Sequence, residues 1–172
     1  MRIYTIGHST RSIDDFVALL RAHGIGQLAD IRTIPRSRRH PQFERDALAA
    51  ALSRHGIAYR HLPGLGGLRH ARADSSNTGW RNDSFRGYAD YMQTPGFSAA
   101  LDELVEFAGT GTTAIMCAEA VWWRCHRSLV SDALVVRGVD VLHVTSAAAP
   151  SPHRLNPMAH VENGHITYRA GA

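Results

Sequence analysis

The sequence predicts an α/β fold: a Rossmann-like three-layer sandwich, with a mostly parallel sheet and helices on both faces. Short β-rich apolar runs alternate with segments of helical period from residue 2 to residue 145. Consecutive strands are joined through helices, which is the connection a parallel sheet requires. At 172 residues and 44% hydrophobic, the chain suits one domain with a substantial core.

The elements follow in order. "RIYTIG" (2–7) is an apolar strand ending at Gly7. In "SIDDFVALLRAHG" (12–24), Ile13, Phe16, Val17 and Leu20 share one helical face, Ser12 caps the start and Gly24 ends it. "QLADIR" (27–32) reads as the second strand, "FERDALAAALSRHG" (43–56) as the second helix, and "AYRHL" (58–62) as the third strand. Residues 63–84 lose all period and become rich in Gly, Arg, Asp, Ser and Asn, which predicts a long loop or lid. "FRGYADYM" (85–92) is a short helix. A longer one at 94–108 has Thr94 as cap and Pro95 in its first turn. "TTAIMCA" (112–118) is a buried strand, "CHRSLVSDALVVRG" (125–138) a helix, and "VDVLHVT" (139–145) a strand. From about 146 the tail is loop-rich, with a hairpin expected at Asn163-Gly164. The expectation is a single domain over 1–172.

Composition narrows the function. No apolar run is long enough for a membrane helix, and "MRIYTIGHST" lacks a signal peptide's apolar stretch. The expectation is a cytoplasmic protein with no membrane partner. Two cysteines eight residues apart make no secreted disulfide framework, so they are expected as reduced thiols, thiolates or ligands. The net charge is +4, and all 19 cationic side chains are arginine. With no lysine, Schiff-base and P-loop lysine chemistry are excluded. Arginine forks for phosphate and carboxylate remain available.

In parallel sheets, ligands bind beyond the C-terminal ends of the strands. Residues 7–9, 31–39, 61–67 and 117–119 should therefore converge, and they hold most of the unusual polar residues. Cys125, placed at a helix start beside Arg124 and Arg127, is a candidate nucleophile or ligand. Cys117 reads as core or pocket wall. Glu119 is a candidate acid–base group, or the ion-pair partner of Arg124 or Arg127. His126 and His8 complete the candidate catalytic set with Asp30, which either pairs with Arg32 or orients a histidine. Arg32, Arg36 and Ser37, in the loop after the second strand, form an anion cradle that Ser9, Arg124 and Arg127 extend.

Known patterns fit poorly. The spacing of cysteine-dependent phosphatases misses by one residue: Trp123 stands where the arginine belongs, and Arg124 follows. The loop also lacks the glycines that let backbone amides wrap a phosphate. Cys117, Cys125 and His126 have no CxxC spacing, so a metal site is poorly supported. The sequence assigns no cofactor. Trp80, Trp122 and Trp123 suit either the core or base stacking.

Four motifs occur in order: "YTIGHST", "LADIRTIPRSRRHPQF", "YRHLPGLGG" and "MCAEAVWWRCHRSLV". Together they resemble the bacterial family catalogued as domain of unknown function 488, over about residues 1–145. The resemblance rests on TIGHS at Thr5–Ser9, D-x-R-x-x-P-x-S at Asp30–Ser37, and C-x-E with C-H-R from Cys117 to Arg127. It implies a Rossmann-like α/β domain with the motifs gathered at one end of the sheet, and a weak association with DNA repair or nucleic-acid processing.

The functional expectation is an enzyme, hydrolase- or transferase-like, acting on an anionic nucleotide or nucleic-acid substrate. One alternative is a non-catalytic nucleic-acid or nucleotide-binding module carried by Arg36, Arg38, Arg39, Arg69, Arg72 and Arg81 with Trp80. Another is a metal-dependent enzyme using Cys and His ligands.

Overall fold

In the computed structural model, which describes residues 1–170, strand β1 (Arg2–Gly7) leads into helix α1 (Ile13–Ala22). Ser12 caps α1 by accepting the Asp15 backbone N–H at 3.1 Å, and Phe16, Val17 and Leu20 are buried as the period predicts. Then come β2 (Gln27–Asp30), α2 (Arg45–Arg54) and β3 (Ala58–His61). Helices α3 (Asp83–Tyr91) and α4 (Pro95–Ala108) precede β4 (Thr113–Cys117). Helix α5 (Arg127–Val136) and β5 (Asp140–His143) complete the alternating part.

The sheet order is β3-β2-β4-β1-β5, all parallel, with β6 (Ser151–Pro152) antiparallel at the β5 edge. The fourth strand in sequence lies at the centre, and all five of its residues are buried. Its side chains alternate between two cores. Ala114 and Met116 join Phe16, Leu20, Leu28 and Leu48 on the α1–α2 side. Ile115 joins Ile3, Leu104 and Leu129 on the other. A strand covered on both faces must be apolar throughout, which is why "TAIMC" carries no alternation.

Two boundaries depart from the sequence reading, the 63–84 loop is ordered by α3, and the expected tail hairpin forms. Strand β2 stops at Asp30, because the Asp30 carboxylate accepts the Arg32 backbone N–H at 3.1 Å and turns the chain. Helix α5 begins two residues later than expected: Trp122–Arg124 form a 3-10 turn, Cys125 is extended, and His126 is the N-terminal boundary residue. The segment 63–84 is tied down. Asp90 of α3 accepts from Ser75 Oγ at 2.5 Å, Asn77 Nδ2 at 2.7 Å and the Arg72 backbone at 2.8 Å. The tail holds a hairpin, β7 (Ala159–Glu162) and β8 (His165–Tyr168), that turns at Asn163-Gly164 with φ of 51° and 78°. Both values suit a two-residue hairpin turn. Ile166 and Tyr168 of that hairpin belong to the core. No helix among the described residues is long and apolar enough to cross a membrane.

Candidate functional site

The loops beyond the strands converge as the parallel topology requires. His8 and Ser9 donate backbone N–H bonds to the carbonyls of Cys117 and Ala118, at 2.9 and 3.0 Å. Ile31 donates to Met116 at 3.0 Å, and Leu62 to Asp30 at 2.8 Å. Beyond these ends opens a cleft of about 540 Å³. Cys117, Cys125 and His126 lie in its floor, and Arg32, Thr33, Ile34 and Arg36 form one wall. Gly67, Leu68 and Phe85 face them from the segments around 63–85, and Glu119 and Arg124 also line it.

The floor is a linked thiol–imidazole group. Cys117 and Cys125 both line it, and the Cys117 thiol donates to the Glu119 carbonyl at 3.5 Å. Cys125 Sγ lies 3.3 Å from His126 Nδ1 and accepts the Arg127 backbone N–H at 3.4 Å. His126 Nε2 lies 2.9 Å from the Ile31 carbonyl. A carbonyl only accepts, so Nε2 carries the hydrogen and Nδ1 presents a lone pair to the thiol. Burial, with help from the Arg127 and Arg69 charges, lowers the His126 pKa to about 4, so the ring is neutral near pH 7.

Arg127 is 1% exposed, and its Nε and Nη1 have no hydrogen-bond partner. Its Nη2 donates to the carbonyls of Glu119 and Ala120, both at 3.2 Å, holding the loop after β4. No carboxylate pairs with it among the described residues. A buried guanidinium stays charged, so an anion nearby is favoured. The thiol pair supplies one. The neighbouring Cys125 lowers the Cys117 pKa against the cost of burial, and the Arg127 charge adds to it. The neighbouring Cys117 and burial push the Cys125 thiol up. Arg127 thus favours a thiolate at Cys117, while burial holds Cys125 protonated. Cys125, which precedes the helix rather than opening it, keeps its proton.

The other expected residues divide. Arg36, Glu119 and Arg124 line the cleft and are exposed. Arg127 lies behind the thiols and reaches the cleft only through its charge. Asp30 is fully buried and does not line the cleft. Arg32 grips it with two forks, at 2.9 and 2.7 Å, and Tyr59 donates to it at 2.5 Å. Much of the Arg32 charge is thus spent inside the protein. His8 stacks on Phe43 with ring centroids 4.3 Å apart, its Nδ1 donating to the Ser9 carbonyl at 2.9 Å. Burial lowers its pKa to about 4. Ser9 and Ser37 are outside the cleft lining, and Ser37 Oγ accepts the His40 backbone N–H at 3.0 Å. Among the described residues, no group of three or more His, Cys, Asp or Glu side chains is disposed to hold a metal ion.

Sequence reasoning passed over Asn82, Ser84 and Phe85, and gave Thr33 no role of its own within the 31–39 loop; all four line the cleft without belonging to any catalytic pattern. Gly67 lay within the 61–67 segment expected to converge here but was given no role of its own. A Cβ there would lie 2.6 Å from His126 Nδ1, so glycine is what lets the imidazole reach the thiol. The doublet Gly66-Gly67 was the visible sign. Gly67→Ala is expected to displace the His126 ring. In NMR spectra the expected result is a shifted His126 imidazole with an otherwise native spectrum. An unmoved ring would show that the contact relaxes elsewhere.

Comparison with known proteins adds one result. No curated protein and no solved structure matches the chain. The family described as domain of unknown function DUF488 matches residues 12–134, well over half of the 172 residues. That range takes in the Asp30–Ser37 and Cys117–Arg127 motifs and the arginines, thiols and imidazole of the cleft, so the chain belongs to the DUF488 family.

Proposed function

We propose that the protein is an enzyme that uses a cysteine thiolate on an anionic substrate, of the nucleotide or nucleic-acid class. One observation carries this reading: two thiols line the cleft, and the buried guanidinium two residues from Cys125 has no carboxylate partner among the described residues. Cys117 is the nucleophile and attacks an electrophilic centre of the substrate. Cys125 and His126 form the proton path behind it, with His126 oriented by the Ile31 carbonyl. Arg36 and Arg124 hold the substrate's negative charge, and Arg32, whose Nη1 lies 3.5 Å from His8 Nε2, adds its charge to theirs. Glu119, exposed in the cleft lining, serves the leaving group as acid or base. His8 and Asp30 act as positioning residues for Arg32. Reduced thiols fit a cytoplasmic setting.

Alkylation by iodoacetamide tests the thiol reading without knowledge of the substrate. Cys117 is expected to react at neutral pH about tenfold or more faster than an unperturbed thiol, and Cys125 slowly. Phosphate or a mononucleotide should protect Cys117, and Arg127→Met should move the reactive midpoint to higher pH. Two thiols with ordinary midpoints, unaffected by any phosphate compound, would overturn it.

A binding module remains the second reading. Arg36, Arg38 and Arg39 are exposed and form no ion pair among the described residues. Binding of a single-stranded oligonucleotide that weakens steeply with salt, with no thiol reactivity, would favour it.

A further inference from the structure

We propose that the protein holds a second subsite beside the cleft, where Trp123 stacks a neighbouring base of a single-stranded nucleic acid. The inference rests on the functional reading above and narrows its substrate from a mononucleotide to a polynucleotide strand.

A second cavity, of about 310 Å³, adjoins the stretch of chain that bounds the cleft. Trp122, Trp123 and Ser128 line this cavity, while Arg124, Cys125 and His126 line the cleft. The two adjoin again at Trp80, which lines the cavity and packs against Phe85 of the cleft with ring centroids 5.0 Å apart. A ligand seated on Arg124 is thus within reach of the cavity.

Trp123 is 60% exposed, and no other Trp, Tyr or Phe among the described residues is exposed. Leaving so large an apolar ring in water gains the fold nothing. The ring is nonetheless held in place. Trp122 meets it edge-on, at 86° and 5.4 Å between centroids, and Trp122 is itself stacked on the buried His143 at 4.2 Å. A fixed, open aromatic face is what a base stacks on, whatever its sequence.

Charge selects the partner. Arg124 beside the ring and Arg154 in the cavity lining are exposed, and neither forms an ion pair among the described residues. The acidic residue of the lining, Asp132, is buried and already bonded by His153, Tyr168 and the Asn156 backbone. The free charge at the cavity is therefore positive, which suits a phosphate backbone and disfavours a basic protein surface. A strand passing over the turn would set a phosphate on Arg124 and the adjoining base on Trp123.

The test is fluorescence anisotropy of labelled oligothymidylate and oligouridylate, each of about ten nucleotides, on the full chain. Trp123→Ala should weaken binding about tenfold, and Trp123→Phe should keep most of it, because a smaller ring still stacks. Trp123→Leu, which has bulk without a π face, should bind like Trp123→Ala. The salt dependence should be equally steep in wild type and Trp123→Ala, since stacking releases no counterions. Circular dichroism establishes that all three variants are folded. Equal affinity of wild type and Trp123→Ala, equal affinity of Trp123→Phe and Trp123→Leu, or no binding of either strand overturns the subsite. So does a wild-type dimer in sedimentation that Trp123→Ala disperses, which gives this face to a second copy of the chain. Protection of Cys117 by a mononucleotide is measured separately. Its presence leaves the functional reading intact if the strand subsite fails, and its absence removes that reading.

Discussion

Acidification from about pH 6.5 to about pH 4 is expected to unfold the protein. Three buried histidines carry the effect. Burial lowers His8 to about 4, against its hydrogen bond to the Ser9 carbonyl, with the Arg32 charge adding to the fall. Burial and the Arg127 and Arg69 charges lower His126 to about 4. Burial, then His153 and Arg127, lower His143 to about 3. Unfolded, each would titrate near 6.5. Between the two values the unfolded chain binds more protons, so stability rises with pH through that window. The contribution is complete above about 6.5 and lost by about 4. Each histidine represents on the order of 3 kcal/mol. Together they are comparable with the roughly 5–15 kcal/mol that holds a typical domain.

The geometry agrees. His143 Nδ1 lies 2.6 Å from Thr5 Oγ1, and its Nε2 lies 2.8 Å from His153 Nδ1. His153 Nε2 lies 2.7 Å from Asp132, which Tyr168 also bonds at 2.7 Å. Trp122 stacks on His143 with centroids 4.2 Å apart. This chain of bonds is satisfied with one hydrogen per link, and a proton added at His143 Nδ1 would reverse the Thr5 bond and bury a charge beside His153. Thermal melts across the window should show a steep fall in Tm, made shallower by His8→Gln. A flat Tm down to about pH 4.5 would contradict the argument.

Replacing Asp30 by alanine is expected to cost about 3–5 kcal/mol, or on the order of 10 °C in Tm. Asp30 is fully buried at the end of β2, and four hydrogen bonds end on its carboxylate. Without it, the Arg32 guanidinium is left buried and unpaired at 6% exposure. Removing one partner of a buried pair is far costlier than replacing both by apolar groups. The double variant Asp30→Ala, Arg32→Leu should therefore be more stable than Asp30→Ala alone. Chemical denaturation of the three proteins checks this. Equal losses in the single and double variants would show that Asp30 supports the turn rather than the arginine.

The Asp30–Arg32 pair shows how far the site could be read in advance. Pairing was one of two roles open to Asp30, because residues two apart on a strand share a face. Its depth was not visible, since it depends on β2 lying between β3 and β4. Glu119, Arg36 and Arg124 are in the cleft because they follow strands, which a local reading can see. Arg127 was expected as a substrate contact, and the structure places it in the interior, behind the cysteines. An arginine in an amphipathic helix reads as exposed from composition. Only the packing of α5 on β4 decides otherwise.

By itself, the sequence determined the α/β class, the identity and order of the strands and helices joining β1 to β5, and the end of the sheet where the polar loops gather. Periodicity, caps and strand–helix alternation act over a few residues, and parallel strands force their following loops to one edge. Tertiary structure alone decided that β4 enters the centre of the sheet, that the tail's Tyr168 closes the core, and that Arg127 is buried without a carboxylate partner among the described residues. These rest on contacts such as His126 to Ile31, 95 residues apart, and on a buried charge answered by its neighbours. Local patterns specify backbone shape, whereas the energy of a buried charge belongs to everything packed around it.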